Sequence, residues 1–240
     1  MLLVMTNSLP TSDFRLPTPF GALWDLDGTL VDTEANHYAA WRALVREHGR
    51  DLSYDEFRPT FGLRNDDILA RYLGFADDPA EIARLSERKE ELFRASLRRD
   101  GVQTQPGARD LVARLYALGA RQVVASSAPP ANIELIVRLL GLSDTFAAVV
   151  SGEEVARGKP APDIFLRAAG RIGLAPGRTV VLEDAPAGVA AGKAAGCRVI
   201  ALLAGFPAEA LSSADLIVRS FDEVLWPVER WEEFLATAGA

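Results

Sequence analysis

The sequence predicts an α/β fold, a parallel sheet covered by helices with an all-helical block inserted after the first strand. Three observations carry that expectation. Short apolar runs with the length of buried strands recur along the chain. Between residues 107 and 220 they alternate with stretches of helical periodicity, the pattern of a parallel sheet whose crossovers are helices. Residues 33 to 104 instead show helical spacing throughout and no good strand.

The first apolar run, residues 20–24, ends in an acidic loop. Runs of the same type cover residues 122–125, 146–150, 179–182, 198–202 and 216–218. Leu111, Leu115 and Leu118 recur at helical spacing, as do Ile133, Ile136, Val137 and Leu140, and Ile164, Phe165, Ala168 and Ile172. In the helical block, His37, Trp41, Leu44, Val45 and His48 share one face of a first helix. Ser53, with Glu56 three residues on, has the form of a capping box for a second. A third helix is expected near residues 64–72 and a longer one over 79–98. The expected organisation is an irregular tail over residues 1–19, which carries Pro10, Pro17 and Pro19, and a sheet-bearing core over 20–32 and 105–240. The block 33–104 is then a second, helical domain acting as a lid, with residues 31–33 and 100–107 as hinges.

Composition narrows the function. The 240 residues are 49% hydrophobic and 25% charged, the balance of a folded globular chain. A formal charge of −7 offers no global attraction to nucleic acid or anionic lipid, and no basic, aromatic-interleaved surface is legible, so neither partner is expected. No run of about 18 apolar residues suggests a membrane span. The single cysteine, Cys197, excludes an intrachain disulfide and suits a reducing cytoplasm. Any phosphorylated ligand has to be held by local groups.

Such groups stand at the ends of the predicted strands. Asp25 and Asp27 follow the first, and Gly28 permits a sharp turn that would leave both flanking one small site. Glu183 and Asp184 follow the strand at 179–182 in the same manner. Open α/β sheets bind ligands at this carboxyl edge. Four carboxylates on one rim repel unless a cation neutralises them or some take up protons. An oxygen-only donor set selects Mg²⁺ or Ca²⁺ over zinc. Calcium in an EF-hand loop is excluded, because counting from Asp25 puts Leu30 at the glycine position and Asn36 at the bidentate glutamate position. Magnesium points to phosphate. Ser126 and Ser127 after the strand at 122–125, and Lys159 between Gly158 and Pro160 at the start of a helix, complete a phosphate cradle. Asp25 is then the nucleophile and Asp27 the general acid and base. Lys89 falls inside an apolar helical stripe of Ile82, Leu85, Leu92, Phe93 and Ser96, where it faces either a cleft or solvent past a domain edge.

With these motifs in order, Asp25 to Glu34, Ala125 to Ser127, Gly158 to Asp163 and Leu182 to Gly188, the sequence resembles the haloacid dehalogenase-like superfamily, in particular its β-phosphoglucomutase-like and small-metabolite phosphatase members. The resemblance implies a Rossmann-like core with a helical cap. It implies Mg²⁺ held by Asp25, the Asp27 carbonyl and Asp184, with Glu183 beside them, and phosphate contacts from Ser126, Ser127 and Lys159. His37 and Trp41 match the cap helix, Gly62, Leu63, Arg64 and Asn65 a substrate-specificity loop, and Lys89 a lysine coupling cap closure to acid and base chemistry. Where the mutases place an arginine for a distal phosphate, this sequence has Asn65, with Arg64 beside it. Three readings stay open: a Mg²⁺-dependent phosphatase of a small phosphorylated metabolite such as a sugar phosphate, a β-phosphoglucomutase-like phosphomutase, and a metal-stabilised interaction module without turnover.

Overall fold

A computed structural model describes residues 19–60, 65–74 and 78–236. All of the expected tail over residues 1–19 except Pro19, and Gly62, Leu63 and Arg64 of the specificity loop, lie outside them. Strands β1 (Gly21–Trp24), β4 (Arg121–Ser126), β5 (Ala148–Ser151), β6 (Thr179–Glu183), β7 (Arg198–Leu202) and β8 (Leu216–Val218) form one sheet in the order β5-β4-β1-β6-β7-β8. Every pairing is parallel. The strands read as apolar runs because both faces are covered. Ala22, Trp24, Val124 and Leu182 pack on one side with α5 (Ala108–Ala117), α6 (Pro130–Leu139) and α9 (Val228–Ala236). Leu23, Val123, Val181 and Val199 pack on the other with α7 (Asp163–Arg171) and α8 (Pro186–Ala194). This is the Rossmann-like α/β fold that the sequence implies.

From β1 the chain moves outward through β4 and β5, then returns to the opposite side of β1 for β6. The carboxyl ends of β1 and β6 therefore flank the point where the winding reverses, the crevice in which such sheets bind ligands. Trp24 pairs with Leu182 in register, and Asp25 N donates to Leu182 O (3.0 Å), so Asp25 emerges alongside Glu183.

The helical insertion comprises α1 (Glu34–Glu47), α2 (Tyr54–Phe57), α3 (Asn65–Asp67) and α4 (Pro79–Asp100) around a separate apolar core of Trp41, Leu44, Val45, Leu52, Phe57, Ile68, Leu69 and Leu85. The capping box forms at Ser53 and Glu56. Three expectations need correction. Each expected hinge contains a strand, one of them inside the block expected to have none: β2 (Val31–Asp32) pairs antiparallel with β3 (Gln103–Thr104), too short for a periodicity to register. The third helix is one α turn that widens over Ile68–Leu73 into π geometry. His48 caps the end of α1 and is exposed rather than packed with Trp41, because the helix stops one residue before it.

One polar pair is buried under the sheet. Trp24 Nε1 donates to Gln122 Oε1 (2.9 Å), and Gln122 Nε2 donates to Val112 O (2.9 Å), tying β1, β4 and α5 together. Gln122→Leu strands a buried N–H and a buried carbonyl at about 1–3 kcal/mol each. It is expected to lower the urea midpoint by the equivalent of roughly 2–6 kcal/mol with the slope unchanged.

Candidate active site

Asp25, Glu183 and Asp184 are all buried, and each offers a carboxylate oxygen within 4.8 Å of the others. Lys159, delivered by the loop after β5, donates to Asp25 Oδ1 (2.5 Å) and Glu183 Oε1 (2.7 Å), with its ammonium 5.0 Å above the Phe165 ring. The remaining Glu183 oxygen accepts from the amides of Asp184 (2.8 Å) and Ala185 (2.9 Å). Thr29 Oγ1 donates to Asp184 Oδ1 (2.7 Å). Two glycines make room for these carboxylates. A Cβ on Gly28, whose φ is +90°, would stand 2.4 Å from Asp184 Oδ2, and one on Gly188 would stand 1.6 Å from Glu183 Oε1.

Three carboxylates against one ammonium leave two negative charges in a buried pocket. Burial raises Asp25 well above the usual carboxylate range; Lys159 opposes this and Glu183 and Asp184 add to it. Burial, then Glu183, pushes Asp184 up to about 7. Lys159 is held above its ordinary value because Asp25 and Glu183 outweigh its own burial. An all-oxygen, doubly negative pocket fits a hard divalent cation.

The Asp27 carboxylate does not join this cluster, contrary to the expectation of four carboxylates around one ion. It turns toward α1, where Thr33 Oγ1 donates to its Oδ1 (2.6 Å) and His37 Nε2 faces it at 3.5 Å. Against its burial, the contacts with His37 and Thr33 and the charge of Lys89 lower its pKa. Lys89 Nζ lies 2.9 Å from His37 Nδ1, so a lysine donating there leaves the ring proton on Nε2, facing Asp27. His37 also stacks on Phe93 with 4.0 Å between ring centroids, and burial followed by the Lys89 charge lowers its pKa.

Lys89 itself is buried, so of its two sequence readings the solvent-facing one is wrong. Its ammonium lies over the rings of Trp41 (5.4 Å) and Phe93 (5.1 Å) and donates to Glu90 Oε1 (2.9 Å). Asn65 Nδ2 donates to the same oxygen (2.7 Å). Ser126, at the end of β4, is buried with its hydroxyl oxygen accepting from Ala128 N (3.1 Å), while Ser127 is exposed beside it. Thr29 and Thr33 lie inside the acidic motif from Asp25 to Glu34, where residue type alone does not say that their hydroxyls hold Asp184 and Asp27, and Gly188 closes the last motif. Glu90 and Asn132 meet across the fold with no sequence signal between them (Asn132 Nδ2 to Glu90 Oε2, 2.6 Å).

The family model of haloacid dehalogenase-like hydrolases matches residues 21–196, a span that includes β1, the helical insertion and β6 with its acidic end. The chain belongs to this family. Among relatives of this haloacid dehalogenase-like hydrolase, hexitol phosphatase A of Escherichia coli is 35% identical over 206 residues, covering 85% of this chain and 92% of that protein. A β-phosphoglucomutase of Bacillus subtilis is 30% identical, covering 88% and 95%. The crystal structure of CbbY from Rhodobacter sphaeroides in complex with phosphate superposes with a TM-score of 0.76 at 31% identity, over 85% of this chain and 95% of that one.

A carboxyl whose pKa is raised on folding favours the protonated fold, so the stability it supports is present at low pH and lost as pH rises toward the folded value. For Asp184 that window runs from about 4, the ordinary aspartate value, to about 7. Thermal melts of metal-free protein are expected to show this loss between about pH 4 and 7, and millimolar Mg²⁺ to raise Tm more at pH 8 than at pH 6; an equal gain at both removes the charge argument. Gly188→Ala, which forces Glu183 off Lys159, is expected to reduce that Mg²⁺-dependent shift at pH 8 to less than half.

Proposed function

We propose that the chain is a Mg²⁺-dependent phosphatase of a small phosphorylated metabolite of the sugar-phosphate class, working through an aspartyl-phosphate on Asp25. The observation that carries this reading is the placement of Asp25: it ends β1 with Lys159 bonded to its carboxylate and lies next to the strand that carries Ser126. Asp25, Asp184 and the backbone carbonyl of Asp27 would hold the ion, with Glu183 fixed beside them by Lys159 and two amides. When bound, Mg²⁺ offsets the repulsion between an anionic phosphoryl group and the Asp25 carboxylate.

In the first step an Asp25 oxygen forms a bond to phosphorus and the ester P–O bond breaks, the leaving oxygen taking a proton from Asp27. In the second, water attacks the aspartyl-phosphate and gives its proton to Asp27, releasing inorganic phosphate and restoring Asp25. Thr33 and His37 favour the ionised form of Asp27, which suits the second step; the first requires the carboxyl to be protonated and released from them. Lys159 and the Ser126 and Ser127 hydroxyls would hold the phosphoryl oxygens, and the insertion, carrying His37, Asn65 and Lys89, would close over the crevice and exclude water until Asp25 is phosphorylated. A lone buried Cys197 is in keeping with a reducing cytoplasm. Among the described residues no helix is long and apolar enough to cross a membrane.

A phosphomutase is the second reading, supported by the relationship to a β-phosphoglucomutase. Asn65 weighs toward hydrolysis, since its amide is bonded to Glu90 and it carries no charge for a second phosphate. With Mg²⁺ and a panel of sugar phosphates, release of inorganic phosphate is expected. Conversion of β-glucose 1-phosphate to glucose 6-phosphate with little release would favour the mutase, and inertness toward the whole panel a binding module. Asp25→Asn is expected to lower kcat by roughly 10⁴-fold or more while the melting curve stays cooperative.

A further inference from the structure

A buried lysine has to be held by something, and for Lys89 the holding groups cross from the insertion to the sheet-bearing part of the molecule. Lys89 and Glu90 are adjacent on α4 and so lie about 100° apart around its axis. Both are buried, because α4 packs along α1 on one side and touches α6 on another. Glu90 shares its two oxygens among three donors: Oε1 accepts from Lys89 Nζ (2.9 Å) and Asn65 Nδ2 (2.7 Å), and Oε2 accepts from Asn132 Nδ2 (2.6 Å). Asn132, in the first turn of α6, is buried, and its Oδ1 accepts from Arg94 Nη1 (3.0 Å). Glu90 and Arg94 are four residues apart, hence stacked on one face of α4, and the single carboxamide sits between acid and base, donating to one and accepting from the other.

We infer that Asn132 is a positioning residue: by bridging Glu90 and Arg94 it clamps α4 against α6 and so sets where the Lys89 ammonium meets His37 and the Asp27 side of the crevice. The residue type is specific. An aspartate at 132 would set a second carboxylate against Glu90, and an aliphatic side chain would leave Glu90 Oε2 without its donor in a buried site. Apolar contacts also cross between the two parts, since Ala40, Phe93 and Leu97 of the insertion pack into the sheet-side core, and the clamp adds a fully buried polar contact to them. The kinetic part of the inference rests on the phosphatase reading; the clamp itself does not.

The test is a polarity swap. Asn132→Asp alone places like charges together. Glu90→Gln combined with Asn132→Asp restores the bridge in reverse, with the Gln amide donating to the new carboxylate and Arg94 still paired, at no change in net charge. With p-nitrophenyl phosphate and Mg²⁺, Asn132→Asp is expected to lower kcat by about 10- to 100-fold with KM changed by no more than about twofold, the scale of a misplaced reacting group. Amide exchange along residues 89–97 of α4 is expected to quicken at the same time. The double variant should recover most of both. An unchanged kcat in Asn132→Asp with only a lowered Tm would reduce Asn132 to a packing residue, and a double variant no better than Asn132→Asp would overturn the bridge. If Asn132→Asp does not fold, Asn132→Ala, which removes the amide without adding charge, replaces it in the same comparison. Should the parent protein hydrolyse no phosphate ester, the phosphatase reading fails and exchange alone decides: faster exchange in the single variant, reversed in the double, upholds the clamp, and unchanged exchange removes it.

Discussion

Three acids share one pocket at the end of a parallel sheet, and only one lysine answers them. Like charges in a medium of low polarity repel far more strongly than in water, so an arrangement of this kind survives only if its excess charge is bound to something. The backbone already takes part: two amides hold one Glu183 oxygen, and Thr29 holds Asp184. What is left over is concentrated on Asp25 and Asp184, the two carboxyls whose proton affinity burial and mutual repulsion raise most. The same surplus is what would draw a small cation and, through it, a phosphoryl group.

The sheet makes this concentration unavoidable. Because β1 and β6 are hydrogen-bonded in register, a carboxylate placed one residue past Trp24 lies beside one placed one residue past Leu182. Small residues then decide how close the groups come: with any side chain at Gly188 the Glu183 carboxylate would have no place to lie. Asp27, two residues further along, belongs to a turn in which Gly28 N donates to Val31 O (2.8 Å), and it faces the insertion. One short loop thus supplies a group to each wall of the crevice.

The six principal strands and the acidic ends of β1 and β6 were legible in the sequence because a doubly covered sheet demands uninterrupted apolar runs, and because Gly, Asp and Glu break them abruptly. Lys89 was visible as a charge inside an apolar stripe, but its partners were not: periodicity says which residues share a face and nothing about what that face meets. Asn132 looked like any residue at the start of a helix, and its bond to Glu90 joins positions that only the tertiary fold makes neighbours. The direction of the Asp27 side chain was open for a similar reason. An extended segment would have sent it away from Asp25, a turn toward it, and the outcome depended on the hydroxyl of Thr33 six residues on. The hinge strands escaped notice because two residues cannot display a repeat.

Those hinge strands constrain how the insertion is attached. Its entry and exit run antiparallel and are laced together by the pairing of Val31 with Thr104 and by the bond from Gln105 N to Leu30 O (3.1 Å). Two independent tethers would let the helices twist and slide as well as tilt. A laced pair behaves like a strip of webbing, which folds across its width but resists being sheared or racked, so any travel of the helices would be left with essentially one arc. An approach of the insertion to the sheet along that arc would bring Asn132 and Glu90 back to the same meeting point each time.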